Sequence, residues 1–244
     1  MADKSFFIDT TKCTACRGCQ VACKQWNKNP GTQTSQQGSH QNPADLSSYT
    51  FKLVRFSEHD IEGDPKWYFF ADQCRHCLEP PCKIAAESTG SKAVHQDEES
   101  GAVLFNPKVK VKGADFKTIR EACPYDIPRW NEKTGSMAKC TMCIDRLKEG
   151  MLPACVKTCP TGAMNFGDRD AIVDMSAKRL AEVQGRYQDA VLANAGDVRT
   201  IYLLVDDPER YHKFAVAENT IGISRKLALK RLLSPISSLR QLIG

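Results

Sequence analysis

Twelve cysteines in four tight groups constrain this chain of 244 residues more than any other feature. The groups occupy residues 13–23, residues 74–82, a lone cysteine at 123 and residues 140–159, and no cysteine follows. Domains stabilised by disulfides are usually short and secreted, and their cysteines are spread along the chain. Repeated CxxC spacing in a chain of this length instead indicates metal binding, although an even count leaves a disulfide framework open as an alternative.

The first group has the spacing Cys13-x2-Cys16-x2-Cys19-x3-Cys23. In two-cluster ferredoxins, the first three thiolates of such a run bind one 4Fe-4S cluster and the fourth binds the neighbouring cluster. A zinc site usually combines two separated CxxC pairs and has no need of four cysteines in so short a run. The first group therefore predicts iron-sulfur ligation.

The last group lengthens the middle spacing of the first and ends in the CxxxCP sequence of a ferredoxin run. Taken alone, it would also suit a four-cysteine zinc site. Exchange of the fourth ligand between the first and last groups predicts two complete sets. Cluster one takes Cys13, Cys16, Cys19 and Cys159, and cluster two takes Cys23, Cys140, Cys143 and Cys155.

The two inner groups are incomplete. The second group lacks its fourth cysteine, and the third group consists of a single cysteine before Pro124. Under the same exchange rule, cluster three takes Cys74, Cys77, Cys82 and Cys123. The vacated positions are Ala86, Gly113, Phe116 and Ile119. All of them belong to one further site, so we predict three 4Fe-4S clusters and a lost site. Because a gap in the middle of a row of clusters would interrupt electron transfer, we expect the lost site at one end.

The positive charge of the chain has two interpretations. A formal net charge of +5 and a pI near 8.6 would suit an anionic partner such as nucleic acid or a membrane surface. Three clusters with their thiolates, each carrying about −2, would instead be offset by this basic surplus. Lys12 and Lys139 each precede a cysteine, and Arg146 follows Cys143 by three positions. All three would contribute, although solvated surface positions explain them more simply.

The sequence predicts neither an export signal nor a membrane span at the ends of the chain. Residues 1–11 lack a basic start, an apolar run and a cleavage site, so no signal peptide is predicted. No stretch approaches the roughly 20 apolar residues that span a bilayer. The most apolar tail, residues 227–243, is interrupted by charged residues and Pro235. We expect this tail to dock on another subunit or to pack on its own domain, and lying on a membrane surface is a third alternative.

The predicted fold class is α+β, with two nested ferredoxin-like modules of the bacterial two-cluster type, loop insertions and a C-terminal helical segment. Apolar runs predict strands at residues 5–9 and 102–106, and helical spacing predicts an amphipathic helix within 168–196. The predicted units are a first module with two clusters (1–28 plus 132–167), a second module with one cluster (68–131), an insertion that forms a subunit-contact loop region (29–67), polar in its first part, and a helical C-terminal extension that docks on a partner (168–244).

Longer motifs surround the cysteines: CTACRGCQVACKQWN at 13–27, CRHCLEPPC at 74–82, ACPYDIPRW at 122–130 and KCTMCIDRLKEGMLPACVKTCPTGA at 139–163. In this order they resemble the four-motif ferredoxin-like subunits that partner molybdenum or tungsten bis-pterin oxidoreductases. Members commonly carry a fourth cluster, from which this chain departs at its vacated positions. Within the family, CRGCQVACKQWN and the later GSHQNP most resemble the iron-sulfur small subunit of soluble formate dehydrogenases.

The resemblance implies an electron-transfer subunit without a substrate site of its own. Electrons from formate, oxidised at a large Mo/W-pterin catalytic subunit, would pass through three 4Fe-4S clusters to a cytochrome or another acceptor. It also implies a heterodimer without a transmembrane segment in this chain, in the periplasm by co-export with the catalytic subunit or alternatively in the cytoplasm. Subunits of polysulfide, thiosulfate, nitrate or sulfoxide reductases and of hydrogenases share the motifs and remain alternatives, and a zinc-stabilised binding module is a more distant one.

Overall fold

A computed structural model describes residues 3–217. The chain has an α+β fold, as predicted, in which short helices alternate with small sheets. The strands are β1 (Lys4–Asp9), β2 (Leu53–Ile61), β3 (Asp64–Asp72), β4 (Val94–Gln96), β5 (Val103–Phe105), β6 (Arg129–Asn131), β7 (Ser136–Ala138), β8 (Met164–Asp168), β9 (Val191–Ala193) and β10 (Thr200–Leu204). The helices are α1 (Gly18–Trp26), α2 (Pro81–Ser88), α3 (Gly113–Glu121), α4 (Ile144–Lys148), α5 (Ala154–Lys157), α6 (Arg169–Gln184) and α7 (Pro208–Tyr211).

The largest sheet has four strands in the order β8-β1-β10-β9. The two central strands, β1 and β10, run parallel, and each pairs with its outer neighbour in the antiparallel direction. Nearly every residue of both central strands is buried, which is typical of strands covered on both faces. The sheet therefore joins the beginning of the chain to the last part that the structure describes.

The two faces of this sheet contact different parts of the protein. Phe7 and Ile201 pack towards α6, where Ile172 completes a buried apolar cluster. Because side chains alternate along a strand, the neighbouring Phe6 and Tyr202 point to the opposite face. There they share a second apolar cluster with cysteines of α1 and α5. The sheet thus supports the cysteine-bearing segments on one face and α6 on the other.

The strands predicted at residues 5–9 and 102–106 are confirmed as β1 and β5, and the helix predicted within 168–196 is confirmed as α6. The prediction for 168–244 was incomplete in one respect. Beyond α6, the chain forms β9 and β10, and β10 becomes a central strand of the sheet. Short apolar runs of three to five residues do not distinguish a strand from a helix turn, and pairing with β1 decides the outcome here.

The predicted insertion has two parts. Residues 29–46 contain neither helix nor strand, as their polar composition predicted. Asp45 anchors this loop, because its carboxylate accepts hydrogen bonds of 2.7 Å from both Arg55 and Arg129. The later part, predicted as loop, instead forms β2 and the beginning of β3, where aromatic and aliphatic residues favour strands.

The predicted docking tail of residues 227–243 lies outside the described residues. Within residues 3–217, no helix combines the length and the apolar character needed to cross a membrane.

Candidate metal centres

The cysteines predicted for cluster one, Cys13, Cys16, Cys19 and Cys159, line one cavity of about 370 Å³. We call them set one. The first three come from the loop before α1 and from α1 itself, while the fourth follows α5. Most other lining residues are apolar, including Ile8 and Val54. Two groups from opposite parts of the sequence are thus brought to the same cavity.

The cysteines predicted for cluster three, Cys74, Cys77, Cys82 and Cys123, line a second cavity of about 320 Å³. We call them set three. Three prolines and Tyr125 form part of its wall, and Lys139 is the one lysine among the lining residues. The lone third-group cysteine therefore lies with the second group, as the exchange rule requires.

The cysteines predicted for cluster two, Cys23, Cys140, Cys143 and Cys155, are all buried, and we call them set two. Helices α1 and α5, which carry two of them, pack against each other. Burial raises the pKa of Cys23 well above its usual range, and the three other thiols of the set raise it further. Such mutual effects show that the four thiols lie close together.

The arrangement of donors differs from that of a single-ion site. In a four-cysteine zinc site, all four sulfurs lie about 2.3 Å from one ion. Within residues 3–217, no group of three or more His, Cys, Asp or Glu side chains converges closely enough to hold one metal ion. Sets one and three instead surround a cavity, as ligands of a multi-iron cluster do, because each thiolate binds a different iron atom.

Comparison with known proteins assigns the chain to a family. Residues 65–169 match a family described as a 4Fe-4S dicluster domain. The formate dehydrogenase subunit beta of Megalodesulfovibrio gigas is 53% identical over 214 residues, which cover 88% of this chain and 99% of that protein. The chain belongs to the family of formate dehydrogenase iron-sulfur subunits. It is therefore an electron-transfer subunit that carries 4Fe-4S clusters, which confirms the resemblance found in the motifs.

Two further relatives support the family. The formate dehydrogenase 2 subunit beta (cytochrome c-553) of Nitratidesulfovibrio vulgaris is 50% identical over 87% of this chain and 98% of its own length. The iron-sulfur subunit of the nitrate-inducible formate dehydrogenase of Escherichia coli is 36% identical over 86% of this chain and 72% of its own length.

Three of the cysteine loops share one backbone device that suits thiolate ligands. The residue two positions after the first cysteine donates its N–H to that cysteine's sulfur, over 3.3 Å from His76 to Cys74 and 3.4 Å from Met142 to Cys140. Ala15 does the same in the first loop. All three donors have positive φ angles of 45–59°, which are uncommon outside glycine. These turns aim N–H dipoles at sulfur and favour its charged form.

Burial opposes ionisation at most of these thiols. It raises the pKa of Cys140, of Cys155 and of Cys82 to about 12 in each case, with neighbouring thiols adding to the effect. At neutral pH such thiols keep their protons unless a metal ion takes the proton's place on the sulfur, since cysteine binds metal as a thiolate. The sets therefore suit iron, whose positive charge would stabilise the buried thiolates.

Two lysines are buried beside the sets. The side chain of Lys139 donates hydrogen bonds to the carbonyl oxygens of Val103 and Cys140, and the residue is 5% exposed. The interpretation of Lys139 as a solvated surface residue was therefore wrong, because the fold places this residue in the wall of the set three cavity. Lys12 is 46% exposed, as that interpretation expected.

The second buried lysine, Lys52, was not predicted. It is 1% exposed and lies next to sets one and two, although no cysteine is near it in sequence. The one available signal was a lysine inside the otherwise apolar run of residues 51–54. A buried ammonium group without a counter-charge is costly, and an anionic cluster would provide one.

Polar side chains flanking Cys74 also have unused hydrogen-bonding capacity. Gln73 Nε2, Arg75 Nε and His76 Nε2 are buried and have no hydrogen-bond partner within residues 3–217. Buried polar atoms are nearly always paired. Sulfur atoms of an iron-sulfur cluster accept hydrogen bonds, so a cluster beside this segment fits these donors.

The four vacated positions come together in one apolar region. Ala86 on α2 and Ile119 on α3 are fully buried in the same cluster, which Phe116 covers. The Phe116 ring stacks on Trp130 with a centroid distance of 5.9 Å, and a side chain at Gly113 would contact the same indole. Packed side chains thus replace the ligands of the lost site.

The sets lie in a row. Set one adjoins set two, because Cys19 and Cys155 pack in one buried cluster. Set two adjoins set three, because Cys140 and Cys74 pack in another. Cys82 of set three belongs to the same apolar cluster as Ala86, Ile119 and Phe116. These vacated positions therefore lie next to set three.

Proposed function

We propose that this chain binds three 4Fe-4S clusters, one at each cysteine set, and conducts electrons from a formate-oxidising catalytic subunit to an external acceptor. The single observation that carries this proposal is the distribution of all twelve cysteines into three neighbouring sets of four in a row. When bound, 4Fe-4S clusters accept and release single electrons at potentials set by charge, hydrogen bonds and solvent exposure.

The chain's own contribution is to hold the clusters in order and to control their surroundings. The thiolates fix the position of each cluster, and the N–H groups of Ala15, His76 and Met142 stabilise their charge. Burial keeps water from most of the sulfur atoms. The cysteines line the two cavities described above, and the proposal places formate oxidation on the catalytic subunit.

The ends of the row suit entry and exit of electrons. In set one, Cys16 is exposed and Cys159 is partly exposed, while in set three Cys77 and Cys123 are partly exposed. A redox partner at either end would reach a cluster without crossing the protein. We propose that one end faces a Mo/W-pterin catalytic subunit and the other faces a cytochrome. The name of the Nitratidesulfovibrio vulgaris relative, which includes cytochrome c-553, supports such an acceptor.

We also propose a periplasmic location by co-export with the catalytic subunit, with the cytoplasm as the alternative. A twin-arginine signal on the catalytic subunit encoded beside this chain would support export. A catalytic subunit without any export signal would contradict it.

Co-purification tests the function directly. The tagged chain is purified without oxygen, its partner is identified by mass spectrometry, and the complex is assayed for formate-dependent reduction of a dye and of a c-type cytochrome. We expect both activities. Substituting Cys74→Ser in set three should abolish cytochrome reduction while formate-dependent dye reduction at the catalytic subunit persists. A complex that oxidises another substrate, or a partner without a pterin-metal site, would contradict the proposal.

A further inference from the structure

Lys52 is a fixed cation inside the protein. It precedes β2, and its ammonium group donates hydrogen bonds to Gln73 Oε1 over 2.6 Å and to the Ala71 carbonyl over 3.2 Å. Both acceptors are uncharged. No carboxylate within residues 3–217 forms an ion pair with this lysine, whereas the similarly buried Arg75 is paired with Asp72. The charge of Lys52 is therefore not cancelled by a neighbouring side chain.

Lys52 lies near two different sets. Its ammonium group donates to the carbonyl of Ala71, which lines the cavity of set one. Ala71 also belongs to the buried cluster that contains Cys19 of set one and Cys155 of set two. Lys52 therefore lies at the boundary between the first two sets.

Set three has other cations. Arg75 and Lys139 line its cavity, and Lys52 does not. The cations of the interior are thus divided, with Lys52 beside sets one and two.

We propose that the ammonium group of Lys52 is a charge shared by the clusters of sets one and two, and that it raises the reduction potential of both. The inference rests on the proposed function, because it requires clusters at these sets. Reduction adds one electron to a cluster whose thiolates already make it anionic, so a nearby positive charge favours the reduced form. The effect is strong in a buried site, where water does not screen it.

The position between two sites gives this charge a second consequence. A cation that serves only one cluster would separate the two potentials, and the lower-potential cluster would then hinder transfer. Lys52 favours the reduced form of both neighbours, so its charge raises both potentials without widening the difference between them.

The test is a redox titration of the purified complex, with dithionite as reductant and the reduced clusters followed by electron paramagnetic resonance. Lys52→Gln removes the charge, Lys52→Arg retains it, and Lys12→Gln is the matched control. Lys12 is adjacent to Cys13 but 46% exposed, so solvent screens its charge. We expect Lys52→Gln to lower the reduced-to-oxidised ratio of two clusters at least tenfold at a fixed potential, which corresponds to about 59 mV for a one-electron couple.

The third cluster should keep its potential in Lys52→Gln, and Lys12→Gln and Lys52→Arg should titrate like the wild type. Unchanged potentials in Lys52→Gln, or equal shifts in Lys12→Gln, would overturn the inference. If Lys52→Gln loses iron, the Lys52→Arg complex decides: a full iron content supports the role of charge, and a similar loss refutes it. A wild-type complex without three titrating clusters would instead refute the proposed function.

Discussion

Ala86 on α2 and Ile119 on α3 lie in the same apolar cluster, and neither exposes any surface to solvent. Both occupy positions where the ferredoxin spacing would place cysteines. The positions that the spacing would assign to a fourth site are therefore filled by packed apolar side chains, and we expect these residues to contribute to stability. Met137 and Val111 complete the cluster.

Shortening Ile119 should destabilise the protein without affecting cluster binding. Ile119→Ala removes buried methyl groups and should cost about 2–5 kcal/mol, or roughly 4–20 °C in the unfolding midpoint of a domain of this size. Ile84→Ala on α2 is the matched control, because Ile84 is 61% exposed. Thermal unfolding and iron analysis check both variants. Equal midpoints, or loss of iron from Ile119→Ala alone, would contradict the assignment of a packed, ligand-free site.

Two cysteines of the last group should belong to different clusters although they are four residues apart. Cys159 lines the cavity of set one, whereas Cys155 acts on Cys23 in set two. Cys159→Ser should therefore alter the same paramagnetic resonance signal as Cys13→Ser, and Cys155→Ser the same signal as Cys23→Ser. Spectra of the four variants, each reduced with dithionite, test this pairing. One signal altered by both Cys155→Ser and Cys159→Ser would refute ligand exchange between the first and last groups.

Asp72 should be essential for stability. Its buried carboxylate accepts hydrogen bonds of 2.8 Å from Arg55 and from Arg75. Asp72→Asn leaves two buried guanidinium groups without their shared counter-charge and should cost about 3–5 kcal/mol. Asp64→Asn, which breaks the exposed pair with Lys66, should change stability by less than about 1 kcal/mol. The unfolding midpoints of the two variants measure the difference. Similar values would contradict the prediction that the buried Asp72 carboxylate contributes more to stability than the exposed Asp64 carboxylate.

His212 should make the protein sensitive to acid. Burial, assisted by the charge of Arg55, lowers the pKa of His212 to about 4. In the unfolded chain the pKa is about 6.5, so between these values the unfolded state binds a proton that the folded state does not. The free energy of unfolding therefore includes a contribution from neutral His212. This contribution is complete above about pH 6.5 and is lost as the pH falls towards 4.

His212→Phe should therefore reduce the fall in unfolding temperature between pH 7 and pH 5. Phe keeps the aromatic contacts with Phe70 and Phe214, and His212 Nε2 has no hydrogen-bond partner within residues 3–217 to lose. His95→Phe, at an exposed position, is the control. If the unfolding temperature of the His212→Phe protein fell between pH 7 and pH 5 as much as that of the wild type, this role of His212 would be contradicted.

The grouping of the cysteines could be predicted from the sequence because it depends on residue type and on the spacing between neighbouring cysteines. Spacings such as that of residues 13–23 follow from the shape of a cluster, and the exchange rule connects runs that are far apart. The two cavities bring together the cysteines that the rule had paired. The vacated positions followed from the same counting.

The burial of the two lysines and the formation of the last strands could not be predicted from the sequence. The burial of Lys52 depends on β3 and on two cysteine loops that lie far away in sequence, and nothing in its neighbours indicates them. Likewise, β10 is a strand because β1 is available as a partner 194 positions earlier, from Phe6 to Thr200. Such features depend on tertiary contacts, which overrule short local patterns.

The count of iron and acid-labile sulfide in this chain, with its clusters reconstituted without oxygen, tests the central claim most directly. Three 4Fe-4S clusters predict about twelve iron and about twelve sulfide ions per chain, without zinc. About eight or about sixteen of each, or zinc in place of iron, would contradict the account.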